Sequence, residues 1–331
     1  MVYNKYIGII GGTGTIGSII VKYLLQLQTH FHVLIGGRRS IKEISMSTFY
    51  NSERLKYNQM NYNNDVELDN FCSQCLLVIN AVGPSFKIND KIALHALRNN
   101  CHYIDIGGYG ILRDLLKPYE KSIEAQKLCF IIGVGWMPGI SGVFSKTIIE
   151  THLNSPENTN FNIYYGAVDN WSYSSTYDLA ASSMGKTRSY VYSHGKEIQV
   201  SPFRYTHHKF FPFIGHKKIC MPSFDEQLTQ LATSLKQIRK ISTFIMLNDY
   251  ISMGKFMFIK IFYKHNLNKA TLMLQDDYQR LVKKENKWGS VICQVSKIEP
   301  ERKIDTFYYL YTKNNLLYTC LLYTSDAADD K

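Results

Sequence analysis

Nowhere in the 331 residues is there an apolar run of the ~20 residues that a helical membrane span requires. The strongest candidate, Ile251–Tyr263, is too short and carries Lys255 and Lys260. It predicts a packing or dimer helix, with a helix lying on a membrane surface as the alternative. A homodimer without a transmembrane span is the expected assembly. The chain also lacks a leader pattern, because Met1–Lys5 runs straight into a strand and a glycine loop. A cytoplasmic, reducing setting with free thiols is the expectation. Lys and Arg exceed Asp and Glu by 11, yet they form no basic stripe or recognition module, so nucleic acid is not an expected partner. Cys72-Ser-Gln-Cys75 has the spacing of half a metal site. No second such pair and no His pair completes it, so buried thiols and no metal are expected. No Ser-His-Asp order and no phosphate-transfer loop is found.

What is present is an alternation of strand and helix patterns. Strands are expected at Lys5–Ile10, Phe31–Ile35, Leu76–Asn80, His102–Ile106 and Leu128–Val134. Helices are expected at Ser18–Gln28, Asp90–Asn99, Tyr119–Gln126 and Ile140–Thr151. Such alternation predicts a doubly wound parallel sheet, with ligands beyond the carboxyl ends of the strands. A polar stretch at Asn154–Asn160 suggests a linker. The expected boundary follows residue 152. After it comes a second, mostly β-sheet α+β domain over residues 153–319, with strands at Phe161–Val168, Ser189–Ser193, Glu197–Val200, Lys209–Phe213 and Gly289–Ile298 and helices at Ser223–Lys240 and Asp249–Tyr263. Cys320–Asp330 (CLLYTSDAADD) resembles the translation of a sequencing adapter. Residues 320–331 are therefore expected to be foreign, with the native frame continuing past Thr319 into other sequence.

Gly12-Thr13-Gly14-Thr15-Ile16-Gly17 is a GxGxxG run between a strand and a helix, the context that makes it a dinucleotide fingerprint. Backbone N–H groups at the helix start and the helix dipole suit a pyrophosphate. An NAD site places a carboxylate at the end of the second strand for the ribose hydroxyls. Here that position reads Gly36-Gly37-Arg38-Arg39-Ser40, with no acid. Two guanidiniums and a hydroxyl suit a 2′-phosphate. NADP(H) is therefore the preferred cofactor, with NAD(H) the alternative. Asn80-Ala81-Val82-Gly83 ends the next strand, where small residues let the backbone lie along the ribose and nicotinamide. Asp105 ends the one after, either as a catalytic or substrate-orienting acid or as a turn cap.

With GGTGTIG at 11–17, GGRR at 36–39, VINAVGP at 78–84, HYIDIGG at 102–108 and GVGWMPG at 133–139, the chain resembles the saccharopine dehydrogenase family in its broad sense. The resemblance continues in outline through Ser172–Tyr177, Asp178, Gly185 and Tyr192–Lys196. It implies a Rossmann domain, a β-rich second domain, and NAD(P)-dependent chemistry, commonly on C–N bonds of amino-acid derivatives. One departure stands out. Many members have Asp-Pro-Gly where this chain has Met137-Pro138-Gly139, which removes a carboxylate suited to an amino-acid substrate.

The expected activity is NADP(H)-dependent hydride transfer to or from an imine or carbonyl carbon of a small metabolite. Pro84, Tyr109, Trp136, Ser174 and Asp178, with Trp171 and Ser175, are candidates to line the substrate cleft. Two alternatives remain. One is a non-catalytic NADP(H)-binding sensor or scaffold. The other is an atypical short-chain dehydrogenase, for which Tyr192/Lys196 and Tyr309/Lys313 have the Tyr-x-x-x-Lys spacing. Both pairs sit in strand-like sequence, which argues against a shared helix.

Overall fold

The computed structural model describes residues 5–27, 30–40, 52–107, 110–153, 156–185, 189–223, 226–299 and 301–313. Tyr109 and the segment Cys320–Lys331 lie outside them. The chain forms two compact units that divide at Gly135/Trp136.

In the first unit the elements are β1 (Tyr6–Ile10), α1 (Thr15–Gln26), β2 (Val33–Gly37), β3 (Leu55–Gln59), α2 (Asp65–Cys72) and β4 (Cys75–Asn80). There follow α3 (Ser85–Ile88), α4 (Lys91–Arg98), β5 (His102–Asp105), α5 (Gly110–Leu116), α6 (Glu120–Ala125) and β6 (Phe130–Ile132). The six strands run parallel in the order β3-β2-β1-β4-β5-β6. That is the doubly wound Rossmann order, whose topological switch point lies between β1 and β4. Both faces are covered, which is why β1, β2 and β4 are nearly continuous apolar runs. Ile10, Leu34 and Val78 pack on one side with Phe71 and Tyr103. Their neighbours Ile9, Ile35 and Ile79 pack on the other with Ile20 and Val21 of α1. Each such fully buried side chain contributes about 1.5–3 kcal/mol.

Two elements of this unit escape the periodicity argument. The edge strand β3 (LKYNQ) is only half-buried, and a single apolar residue starts it. Helix α2 is short, but its start is legible in the residues. Asn64 Oδ1 accepts from the amides of Val66 and Glu67, and Asn64 Nδ2 donates to Glu67, a variant of the capping box.

The second unit contains α7 (Ile140–His152), β7 (Thr159–Val168), α8 (Tyr173–Gly185), β8 (Ser189–Ser193), β9 (Lys196–Val200), α9 (Pro202–Tyr205) and β10 (His207–Phe211). It continues with β11 (His216–Pro222), α10 (Glu226–Ser234), β12 (Lys240–Leu247), α11 (Tyr250–Phe262), α12 (Leu267–Lys284), β13 (Trp288–Ile298) and β14 (Lys303–Thr312). The sheet order is β10-β11-β12-β7-β13-β14, with β8 and β9 branching from β12. Of its pairings, β12 with β7 is parallel and the rest are antiparallel. The unit begins before residue 152 because α7 buries Ile148 and Ile149 in a core shared with Phe161, Ile163 and Val295.

One reading of this half needs correction. The helix expected over Ser223–Lys240 is confined to α10, and Lys240 opens a strand. The run KISTFIML is rich in β-branched and apolar residues and is buried from Ile241 to Leu247, so tertiary burial decides for strand. Ser174 and Ser175 lie in the first turn of α8, where the Ser175 amide donates to Ser172 Oγ. Helix α12, the longest among the described residues, was not expected. None of the described helices is long and apolar enough to cross a membrane.

Candidate functional site

The glycine loop folds back on itself between β1 and α1. The Gly14 amide donates to the Gly11 carbonyl at 2.9 Å, and the Ser18 amide to the Gly14 carbonyl at 2.9 Å. A Cβ at Gly17 would lie 2.2 Å from the Gly11 oxygen, so the helix sits against the loop at a distance only glycine allows. Gly14 differs. It is exposed, and a Cβ there would meet only the Gly11 oxygen, at 3.1 Å. Helix α1 has no side-chain cap hydrogen bond at Gly14 and no acidic residue in its first turn. No side-chain cap and no first-turn carboxylate competes there with an anion drawn by the helix dipole. Thr13 and Ile16 are half-buried and Thr15 is exposed beside this opening.

The end of β2 is tied to that loop. Arg39 Nη2 donates to the Thr13 carbonyl at 2.7 Å. Strand β3 holds the arginine backbone in place: Tyr57 Oη donates to the carbonyls of Gly37 at 3.0 Å and Arg39 at 2.5 Å, and Gln59 Nε2 to that of Arg38 at 3.3 Å. Arg38 and Arg39 are both exposed, and Ser40 is half-buried next to them. Tyr57 and Gln59 were not foreseen, because β3 itself was not.

The ends of β4 and β5 form one buried polar knot. Asn80 and Asp105 are each 2% exposed and face each other in register. Asn80 Nδ2 donates to Asp105 Oδ2 at 2.8 Å, and the Val82 amide donates to Asn80 Oδ1 at 3.0 Å. Asp105 also accepts from Tyr103 Oη at 2.5 Å and from the Gly107 amide at 2.9 Å. The carboxylate therefore braces the turn Asn80-Ala81-Val82-Gly83, as the cap reading expects. It also borders a hollow of about 10 Å³, lined too by Ser85, Phe86 and Ile111 and just past Pro84, which has room for roughly one water.

The remaining described cleft candidates fall in the second unit. Trp136 lines a larger cavity, of about 50 Å³, together with Trp171, Tyr165, Phe256, Asp277 and Tyr278. Ser174 and Asp178 belong to α8 and are not among its lining residues; Asp178 is buried. Asp277 and Tyr278 were missed with α12, although Leu267, Ala270, Leu274, Asp277 and Leu281 keep a helical spacing.

Other sequence readings resolve plainly. Cys72 and Cys75 are buried free thiols, and burial pushes both well above the ordinary thiol range. Burial likewise raises their neighbour Cys101, to about 11. Among the described residues no group of three or more His, Cys, Asp or Glu could hold a metal ion. Tyr192 and Lys196 lie on two strands of a hairpin whose turn residues His194 and Gly195 have φ of 50° and 74°. Tyr309 lies on β14. Neither Tyr-x-x-x-Lys pair shares a helix.

A β1-loop-α1 fingerprint, an arginine pair after β2 and a six-stranded parallel sheet in this order point to one kind of domain. Residues 7–129 match the saccharopine dehydrogenase NADP binding domain. The first unit is thus an NAD(P)-binding domain that resembles that of saccharopine dehydrogenase. The two-domain architecture also resembles a solved saccharopine dehydrogenase, the apo histidine-tagged, L-Glu forming enzyme from Saccharomyces cerevisiae. The TM-score is 0.63 at 13% identity, over 97% of this chain and 90% of that one. DAP dehydrogenase from C. glutamicum in complex with DAP aligns over 96% of this chain and 86% of that one, at 10% identity and a TM-score of 0.47. A short-chain dehydrogenase/reductase from Veillonella parvula in complex with NADP aligns over 39% of this chain and 67% of that one, at 19% identity and a TM-score of 0.30. These last two likenesses are too slight to argue from. No curated protein matches the sequence significantly.

Proposed function

We propose that the chain is an NADP(H)-dependent oxidoreductase acting on an imine or carbonyl carbon of a small metabolite. The observation that carries this reading is the arginine pair at the end of β2, where Arg39 reaches the Thr13 carbonyl at 2.7 Å and Gly36–Ser40 offers no acid to bind ribose hydroxyls. The chain's residues suit the cofactor: an exposed Gly14 and an uncapped helix start would hold the pyrophosphate. Arg38, Arg39 and Ser40 would hold the 2′-phosphate. The Asn80–Gly83 turn would run along the nicotinamide side. When bound, the nicotinamide supplies or takes the hydride. The protein's part is to fix these segments and keep them rigid. Asn80 and Asp105 do so by closing each other's hydrogen bonds, so Asp105 is a positioning residue in this reading. Pro84, Tyr109, Trp136, Ser174 and Asp178 stand as the candidates for the substrate side.

The sensor reading draws support from the same knot, since Asp105 already accepts from three donors. Nucleotide titration of the purified chain tests the first step, with tighter binding of NADPH than NADH expected. Turnover of NADPH against a panel of imines, ketones and amino acids tests the second. Tight NADPH binding with no turnover on any of them would favour the sensor.

A further inference from the structure

Helix α11 is apolar on two opposite sides. Its inner side, Ser252, Phe256 and Ile259, is buried in the second unit. A helix with a single apolar stripe would turn polar residues outward. Here Ile251, Gly254, Phe258, Ile261 and Phe262 follow one another at steps of three and four, in one line opposite the buried residues. Ile251, Phe258, Ile261 and Phe262 are 50, 39, 65 and 66% exposed. The Phe258 and Phe262 rings pack on each other at 4.5 Å, and a Cβ at Gly254 would meet nothing within 4 Å. Tyr250 at the helix start and Leu272 on α12 are exposed as well. Single exposed apolar residues are ordinary, but a line of them along one helix marks a contact surface.

The charges around the stripe select what it contacts. Over residues 249–284, seven Lys and Arg accompany three Asp. Those acids, Asp249, Asp276 and Asp277, are already held by Arg280 and Lys255. Lys264, just after α11, and Lys269, in the first turn of α12, are exposed. Neither has an acidic partner among the described residues. A second copy on this stripe would bring more cations and no free acid, and like charges oppose such a pairing. Nucleic acid would answer the lysines and leave the phenylalanines in water. An anionic bilayer answers both, because apolar side chains enter the boundary between headgroups and acyl chains while lysines meet the lipid charge.

We propose that α11 docks the chain on an anionic phospholipid surface, with Ile251, Phe258, Ile261 and Phe262 inserted and Lys264 and Lys269 against the headgroups. The helix lies in the membrane plane, since its 13 residues are too few to cross. The inference concerns the second unit alone and does not rest on the nucleotide reading.

Flotation of the full chain with vesicles of phosphatidylcholine, alone or with about one-third phosphatidylserine, tests it. Binding to the serine-containing vesicles is expected, at least about ten-fold tighter than to phosphatidylcholine alone and weakened by added salt. Phe258→Ser with Phe262→Ser changes only exposed side chains and should lower that binding about ten-fold or more. Lys264→Gln with Lys269→Gln should remove most of the preference for the anionic vesicles. Protein with a native circular dichroism spectrum that ignores anionic vesicles would overturn the assignment, as would undiminished binding by the phenylalanine variant. So would a dimer in sedimentation velocity that the phenylalanine variant splits into monomers, because the stripe would then belong to a second copy. Flotation of the unaltered protein requires no variant, so the proposal stays testable if either variant fails to fold.

Discussion

Arg39 Nη2 donates to the main-chain carbonyl of Thr13 at 2.7 Å, across 26 positions of sequence. The contact joins the residue read as the 2′-phosphate ligand to the middle of the glycine loop. It places a positive charge beside the opening at the start of α1, where an anion already gains from the helix dipole. One guanidinium can keep a single N–H on the carbonyl and still offer others in its fixed fork.

The first prediction follows from that placement. Arg38→Ala with Arg39→Ala should weaken NADPH by roughly ten- to a hundred-fold, the worth of one or two charge-assisted hydrogen bonds, and NADH by much less. Isothermal titration with both nucleotides measures the ratio. Equal losses for the two would mean that the arginines do not face the 2′ position.

Tyr57→Phe tests how the arginines are held. The hydroxyl spans the carbonyls of Gly37 and Arg39, so its loss frees the segment while leaving both guanidiniums in the chain. NADPH affinity should fall by about five-fold, for roughly 1 kcal/mol. NADH affinity should change less. A variant with unaltered selectivity would show that β3 does not set the arginine geometry.

That tyrosine also marks the limit of what could be read beforehand. The GxGxxG loop, the arginine pair and the Asn80 and Asp105 strand ends were legible because each sits after a buried parallel strand, whose apolar run is visible without knowing its partners. Strand β3 was not, since an edge strand is half in water and LKYNQ shows no alternation. Helix α12 was overlooked despite its regular apolar spacing, and Asp277 went with it. The strand at Lys240–Leu247 was left unassigned between two expected helices because a continuous apolar run has no period of its own. The pairing of Asn80 with Asp105 is long-range, and nothing in either segment alone announces it.

Asp105→Asn separates positioning from catalysis. Tyr103 Oη, Asn80 Nδ2 and the Gly107 amide all donate to this carboxylate. An amide in its place turns one NH₂ toward those donors. The expected cost is about 1–3 kcal/mol of stability, with weaker nucleotide binding as the Asn80–Gly83 turn loosens. Denaturant unfolding and NADPH titration read both. An Asn variant with native stability and native NADPH affinity that loses turnover alone would instead make Asp105 a reacting group.

Gly14→Ala and Gly17→Ala should fail in different ways. At Gly17 the new methyl lands 2.2 Å from the Gly11 oxygen, so the loop and helix must part, lowering the melting temperature. At Gly14 the contact is 3.1 Å and the residue is exposed, so the fold should persist while the methyl blocks close approach of a pyrophosphate. NADPH affinity in Gly14→Ala should drop by about ten-fold or more with little change in melting temperature. A Gly14→Ala protein that binds normally would place the pyrophosphate elsewhere.

The second unit carries its own acid sensitivity. Burial alone would raise the Asp249 carboxyl. Hydrogen bonds from the Arg280 guanidinium and from Ser252 outweigh that and hold it at about 2, against an ordinary 3.8. A carboxyl whose value is depressed by folding adds stability that is complete above its unfolded value and fades as pH falls toward the folded one. Asp249 should therefore stabilise the unit fully at neutral pH and progressively less between about pH 4 and pH 2. Arg280→Met removes its partner and that of Asp277 together. The variant should lose about 2–4 kcal/mol at neutral pH, because two partly buried carboxylates are left without their guanidinium. Its stability should also fall less steeply than the wild type's through the acid range, because Asp249 then titrates near its ordinary value. Urea unfolding at a series of pH values measures both effects. An Arg280→Met protein with the wild-type acid slope would show that the Asp249 pair is not the source of the sensitivity.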